Sequence, residues 1–177
     1  MLGGGRAELP VDQSLVDAYE PGDQRKAASI QNINTGNVAL QGWYCKKFRF
    51  VIDGTDKYFI SRIAEMYLIS AEASFRISNN TTDVNALSRI NAVRTSRGLT
   101  VLVSIDEQKI LQERRVEFAF EGLRWLDMKR FKSPTNPAKS VAQVYVEAKG
   151  RSVNDLLYPI PQQQLDVNSL LNQNPGY

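Results

Sequence analysis

Residues 104–131 read Ser-Ile-Asp-Glu-Gln-Lys-Ile-Leu-Gln-Glu-Arg-Arg-Val-Glu-Phe-Ala-Phe-Glu-Gly-Leu-Arg-Trp-Leu-Asp-Met-Lys-Arg-Phe, and the rest of the chain is read outward from them. The stretch opens as a capping box. The Ser104 hydroxyl can accept from the amide of Glu107, and the Glu107 carboxylate can reach back to the amide of Ser104. No proline follows until Pro134. The pattern predicts a helix from about Ile105 to Glu121, ended or bent at Gly122, then a short helix from Leu123 to about Arg130. At ~100° per residue, Leu111, Phe118, Trp125 and Leu126 form one apolar strip, and Val116, Phe120 and Leu123 form another. A helix apolar on two sides is packed between neighbours.

Between the strips lie Glu113, Glu117, Glu121, Arg114 and Arg124. Like charges at i,i+4 cost roughly 0.2–0.5 kcal/mol per pair. Forked, charge-assisted bonds from Arg114 and Arg124 can offset that repulsion. The expectation is a partly buried ion-pair network, with Arg124 buried and bonded to Glu117 or Glu121. A glycosidase carboxylate pair is the other reading of these acids. It is disfavoured on two grounds. Pairing with arginine lowers a carboxyl pKa where a general acid needs it raised. Acids at i,i+4 also point the same way, whereas catalytic carboxylates flank the scissile bond.

Upstream, 58–77 has the period of a helix about five turns long. Ile60, Ile63, Ala64, Tyr67, Ala71 and Phe75 form one apolar face, and Met66, Ile69, Ala73 and Ile77 form another. Arg62, Glu65, Glu72 and Arg76 make the charged strip between, and Arg62, Glu65 and Glu72 are assigned to the same structural network. Thr82 or Asp83 can cap a following helix from Val84 to Arg97, stopped by Gly98. The two form a helical hairpin, and 104–131 is read as a second pair.

Four segments in order accompany the run Ile110 to Arg130. They are Arg62-Ile-Ala-Glu-Met-Tyr-Leu-Ile-Ser-Ala-Glu-Ala73, Leu87-Ser-Arg-Ile-Asn-Ala-Val-Arg94, Tyr158-Pro-Ile-Pro161 and Gln173-Asn-Pro-Gly-Tyr177. Together they resemble the SusD/RagB family, outer-membrane nutrient-binding lipoproteins of Bacteroidetes, over roughly Asp23 to Tyr177. The resemblance implies a mainly α fold of tetratricopeptide-like helix pairs with irregular, loop-rich flanks. It also implies a non-enzymatic protein at the cell surface. Such a protein binds oligosaccharide or another nutrient and partners a SusC-like TonB-dependent outer-membrane transporter in uptake. The alternative is a helical-repeat protein–protein interaction scaffold without a ligand of its own.

The domain expectation is a loop-rich N-terminal segment, 1–57, and a SusD/RagB-like helical domain, 58–177. Met1 to about Val38 is punctuated by glycines and prolines, and only Gln13 to Tyr19 looks briefly helical. Asp23 and Arg25 are read as a local pair. Trp43 to Ile52 has the composition of a short strand or extended segment before the Asp53-Gly54 turn. Within it, Trp43 and Tyr44 are the candidate ligand-binding residues, because aromatic faces stack on sugars. A buried, edge-plugging Trp43 is the competing reading. Downstream, Val141, Val144 and Val146 suggest an extended piece, and Pro161 suits the start of a one-turn helix.

Composition bounds what else the chain can be. It has no histidine, which removes His-dependent catalysis and most zinc sites; no metal and no cofactor are expected. The net charge of +3 comes from interleaved rather than clustered basic residues, so nucleic acid is not an expected partner. A single Cys45 forms no internal disulfide and is read as a small buried or half-buried residue. The first residues carry neither a signal peptide nor a lipobox. The chain is therefore expected to match the C-terminal part of a longer lipoprotein, whose lipid anchor lies on the missing N-terminal part.

Overall fold

The computed structural model describes residues 9–34, 41–48 and 55–177. They are mainly helical, and they divide into two compact units, Met1–Arg124 and Trp125–Tyr177.

In the first unit, α1 (Gln13–Val16) and α2 (Gln24–Ser29) are short, capped by Asp12 and Asp23. Strand β1 (Ile30–Ile33) follows α2 directly and pairs antiparallel with β2 (Gly42–Cys45), Asn32 facing Trp43. Next come α3 (Ile63–Ser78), α4 (Val84–Thr95) and α5 (Glu107–Glu117). α3 ends where Asn79 turns left-handed and its amide bonds the Phe75 carbonyl. Asp83 caps α4 through the Ala86 amide. α3, α4 and α5 pack on one another around Leu68, Ala71, Phe75, Ala86, Ile90, Val93, Ile105 and Ile110. On α5, Val116 joins a second cluster with Val16, Tyr19 and Ile30, flanked by Trp43 and Phe120.

The second unit holds most of α6 (Arg124–Arg130), then α7 (Val141–Ala148), a 3₁₀ turn (Val153–Leu156) and α8 (Gln162–Val167). It buries Met128, Phe131, Ala142 and Val146. Its tail is tied down by Gln173 on both backbone groups of Ile160 and by the Tyr177 hydroxyl on the Leu157 carbonyl.

Several expectations are corrected here. The cap of α5 is Asp106, whose carboxylate accepts from the Lys109 amide, not Ser104. Ile105 is fully buried and its amide bonds the Thr81 carbonyl at 2.7 Å, so residue 105 is committed to the α3–α4 link before the helix can begin. α5 also ends at Glu117 rather than Glu121, so the two apolar strips drawn on to Leu126 and to Leu123 do not exist as continuous helix surfaces. Phe120 and Gly122 both have positive φ, 68° and 79°, and make an elbow. α3 starts five residues late because Arg62 is extended (φ −151°) and reaches away from the helix. Residues 141–148 are helical rather than extended. Ser140 caps them, and Ala142 and Val146 bury at the i,i+4 spacing of a helix, which overrides valine's preference for strands. Cys45 is exposed. The compact units part after Arg124, and Val16 of α1, Tyr19 and Ile30 of β1 cluster with Val116 of α5. Phe50, Ile52 and the Asp53-Gly54 turn lie outside the described residues.

Candidate functional site

The most concentrated chemistry in the first unit is a buried charge hub on α5 and the elbow after it. Glu113 and Glu117 lie one turn apart on α5, Glu121 lies on the elbow, and all three are 4% exposed or less. Their partners arrive from four other segments. From α2, Arg25 holds Asp23 with a two-pronged grip, both bonds 2.8 Å, and its Nη1 donates to Glu113 at 2.6 Å and to Glu117 at 3.0 Å. From α4, Arg94 Nη1 donates to Glu113 at 2.9 Å, and the same guanidinium forks onto Glu20 at 2.7 and 2.9 Å. Just after α4, Arg97 forks onto Glu117 at 2.9 and 3.2 Å. Arg62, at the foot of α3, spans Glu117 and Glu121, and its Nη2 also donates to the Glu117 carbonyl at 2.6 Å. Lys47 donates to the Glu117 and Ala119 carbonyls at 3.2 Å and pairs with the Glu121 carboxylate.

The hub also fastens the elbow's backbone. The Tyr58 hydroxyl donates to the Glu121 carbonyl. A Cβ at Gly122 would sit 2.7 Å from that hydroxyl oxygen, the far end of an exposed side chain that would have to shift, and with φ +79° the backbone itself favours glycine. The Arg62 and Arg114 guanidiniums lie over the Phe118 ring, 4.7 and 5.0 Å from its centroid. Beside the hub opens a pocket of about 210 Å³ lined by Arg25, Lys47, Phe59, Arg62, Glu117 and Glu121, among others.

The electrostatics suit holding, not proton transfer. Burial by itself would push the Glu117 carboxyl up, yet hydrogen bonds from Arg97 and Arg62, together with their charges, bring it down to about 2. Burial likewise opposes the Arg25 charge, and Asp23 and Glu113 outweigh it. A carboxylate held so low cannot donate a proton as a glycosidase acid must.

Of the residues assigned to the network from sequence, Arg62, Glu113, Glu117 and Glu121 meet in the hub. Glu72 is buried and pairs with Arg76 at 3.0 Å, and Arg76 reaches Glu107 at 3.1 Å, linking α3 to α5. Arg114 is buried and stacks on Phe118. Arg124 is half-buried, not buried as expected, because the chain turns at the elbow before reaching it. Glu65 stands apart. It is half-buried in the first turn of α3, where an acid favours the helix dipole, and among the described residues no ion pair reaches it. Tyr44 is 6% exposed and so cannot stack on a sugar. Trp43 is half-buried, divided between the Val16–Tyr19–Ile30–Val116 cluster and Lys26, whose Nζ lies 5.4 Å from its ring centroid.

Sequence reasoning missed Glu20, Lys47, Arg94 and Arg97, and it saw Arg25 only as a neighbour of Asp23. One signal was available: three acids on one strip need more cations than their own helix supplies.

The profile of the SusD family matches residues 3–177. SusD-like protein P2 of Formosa agariphila is 33% identical over 71% of this chain and 27% of its own length. Starch-binding protein SusD of Bacteroides thetaiotaomicron is 33% identical over 66% of this chain and 21% of its own length. Among solved structures, Surface glycan-binding protein A from Bacteroides uniformis superposes with a TM-score of 0.74 at 27% identity, over 93% of this chain and 40% of that one. A laminarin binding SusD-like protein gives 0.70 at 26%, over 95% and 38%. The chain thus spans roughly a quarter of the length of these curated relatives.

Proposed function

This chain belongs to the SusD family, and on that premise we propose that it forms the scaffold region of a cell-surface glycan-binding protein. SusD-family proteins are binding proteins, not enzymes, and they work at the outer membrane. In our reading the protein captures an oligosaccharide and passes it to a SusC-like TonB-dependent transporter, and it is held at the surface by a lipid anchor. Its helices stack as tetratricopeptide-like pairs. The observation that carries this reading is the fold match to Surface glycan-binding protein A over 93% of the chain. The neutralised hub fits a scaffold role: its arginines and carboxylates are spent on one another.

Because Tyr44 is buried and Trp43 is shared with the core, the sugar contacts of this reading are sought on other loops, and Trp43 serves stability. The test is affinity electrophoresis through gels containing laminarin, starch and other polysaccharides, paired with capture of a SusC-like barrel from outer membranes. Retardation by at least one glycan is the expected result. Barrel capture with no retardation by any glycan would replace this reading with that of a ligand-free interaction scaffold.

A further inference from the structure

The hub is neutral as a whole, but its charge is unevenly placed. The pocket beside it is lined by four cations, Arg25, Lys47, Arg62 and Arg97, against two carboxylates, Glu117 and Glu121. The opposite excess lies behind them, where Glu20, Asp23 and Glu113 outnumber Arg94. The pocket wall is therefore the positive end of a buried charge array, where salt screens little.

Charge is matched in the hub, but hydrogen-bond donors are not. A guanidinium carries five N–H groups. Arg25 places four bonds, two on Asp23 and one each on Glu113 and Glu117. Arg62 places four, on the Glu117 carboxylate and carbonyl and twice on Glu121. Arg97 places four, two on Glu117 and two on Ser96. At least one N–H of each is left without an acceptor among the described residues. The three reach the pocket from separate segments: α2, the residue before α3, and the turn after α4. Ser29, 4% exposed at the end of α2, adds a hydroxyl to the lining. The Lys47 ammonium spends its three protons on the Glu117 and Ala119 carbonyls and the Glu121 carboxylate, so it gives the pocket charge alone. Arg25 is the most enclosed of the four, its side chain 7% exposed, while Arg97 at 34% and the Phe59 ring stand at the rim.

We propose that this pocket binds one tetrahedral oxyanion, sulfate or phosphate, either free or carried on a sugar. Its oxygens take the remaining N–H groups of Arg25, Arg62 and Arg97 and the Ser29 hydroxyl as charge-assisted donors. Donors arriving from separate segments suit an anion with acceptors on every side, whereas a planar carboxylate takes them in one plane. The volume of about 210 Å³ is many times the roughly 10–15 Å³ that one water needs, so a polyatomic ion fits with water beside it. The ion bridges α2, the start of α3 and the end of α4, and stabilises the fold by mass action.

Isothermal titration calorimetry on the whole chain tests this. The probes are sodium phosphate, sodium sulfate and glucose 6-phosphate, with sodium chloride holding ionic strength constant. Saturable one-to-one binding of phosphate, competed by sulfate, is expected. Phe59→Asp, at an exposed rim position, should keep the wild-type Tm in chloride and weaken binding about tenfold or more. Arg97→Gln should weaken it by a similar factor, whereas Lys139→Gln, which removes the same charge from the second unit, should leave it unchanged. Tighter binding of glucose 6-phosphate than of phosphate assigns the site to a group carried on a sugar, and the reverse order assigns it to the free ion. Heats that never saturate, or binding that Phe59→Asp leaves intact, overturn the proposal. So does a phosphate-dependent rise in Tm shared equally by Phe59→Asp, because excluded kosmotropic anions stabilise proteins without a site.

Discussion

Glu117 takes hydrogen bonds from Arg25, Arg62 and Arg97 while 3% exposed. Its folded pKa of about 2 lies below the unfolded value, so its contribution is full above about pH 4.3 and disappears as pH falls through the folded pKa. A gap of that size corresponds to about 3 kcal/mol. Glu117→Gln should cost about 3–5 kcal/mol near neutrality, because three guanidiniums lose a buried charge partner. The difference from wild type should then shrink toward zero as pH approaches about 2. Urea unfolding of both proteins from about pH 7 to about pH 3 checks this, and a constant difference would mean the carboxylate is not the group that matters. Part of the site was readable at this scale and part was not. The i,i+4 row of glutamates was visible because helix geometry is periodic. Arg25 was not, because its bonds to Glu113 and Glu117 cross 88 and 92 positions, and no local pattern encodes that meeting.

At the scale of elements, α3, α4 and α5 were legible because each shows apolar residues at helical spacing over three turns or more. Their ends were less so, since an end is decided by competition between neighbouring acceptors. Asp106 wins over Ser104 because Ile105 is anchored to Thr81, and the two sites can be separated experimentally. Asp106→Ala should cost about 1 kcal/mol, whereas Ser104→Ala should change stability by less than about 0.5 kcal/mol. Thermal melts of the two variants decide it, and the reverse order would restore the Ser104 cap. The elbow was predicted at Gly122 but not its depth, since a phenylalanine at positive φ is rare and nothing local announces it. Gly122→Ala meets both a left-handed backbone and the Tyr58 hydroxyl, so a loss above about 1 kcal/mol is expected. The Gly122→Ala, Tyr58→Phe double variant should recover little of it, because the backbone conformation remains.

For the whole molecule, the hub and the Val116 cluster bind Val16, Tyr19, Arg25, Ile30, Lys47 and Arg62 to the helices that follow. A chain begun at residue 58, the boundary composition suggested, would lack Arg25, Lys47, Val16, Tyr19 and Ile30. It should melt without a cooperative transition by circular dichroism; a sharp melt matching that of the intact chain would show the N-terminal segment to be an appendage. The hub also bears on the order of events in folding. The bonds that Arg25 and Arg62 make to its glutamates join residues 55 to 92 positions apart, so the chain must close long loops before those charges can meet. Bonds that close after the rate-limiting barrier would make Arg25→Ala unfold faster while refolding at almost the wild-type rate, which stopped-flow urea jumps read directly; equal slowing of refolding would place the hub in the barrier itself.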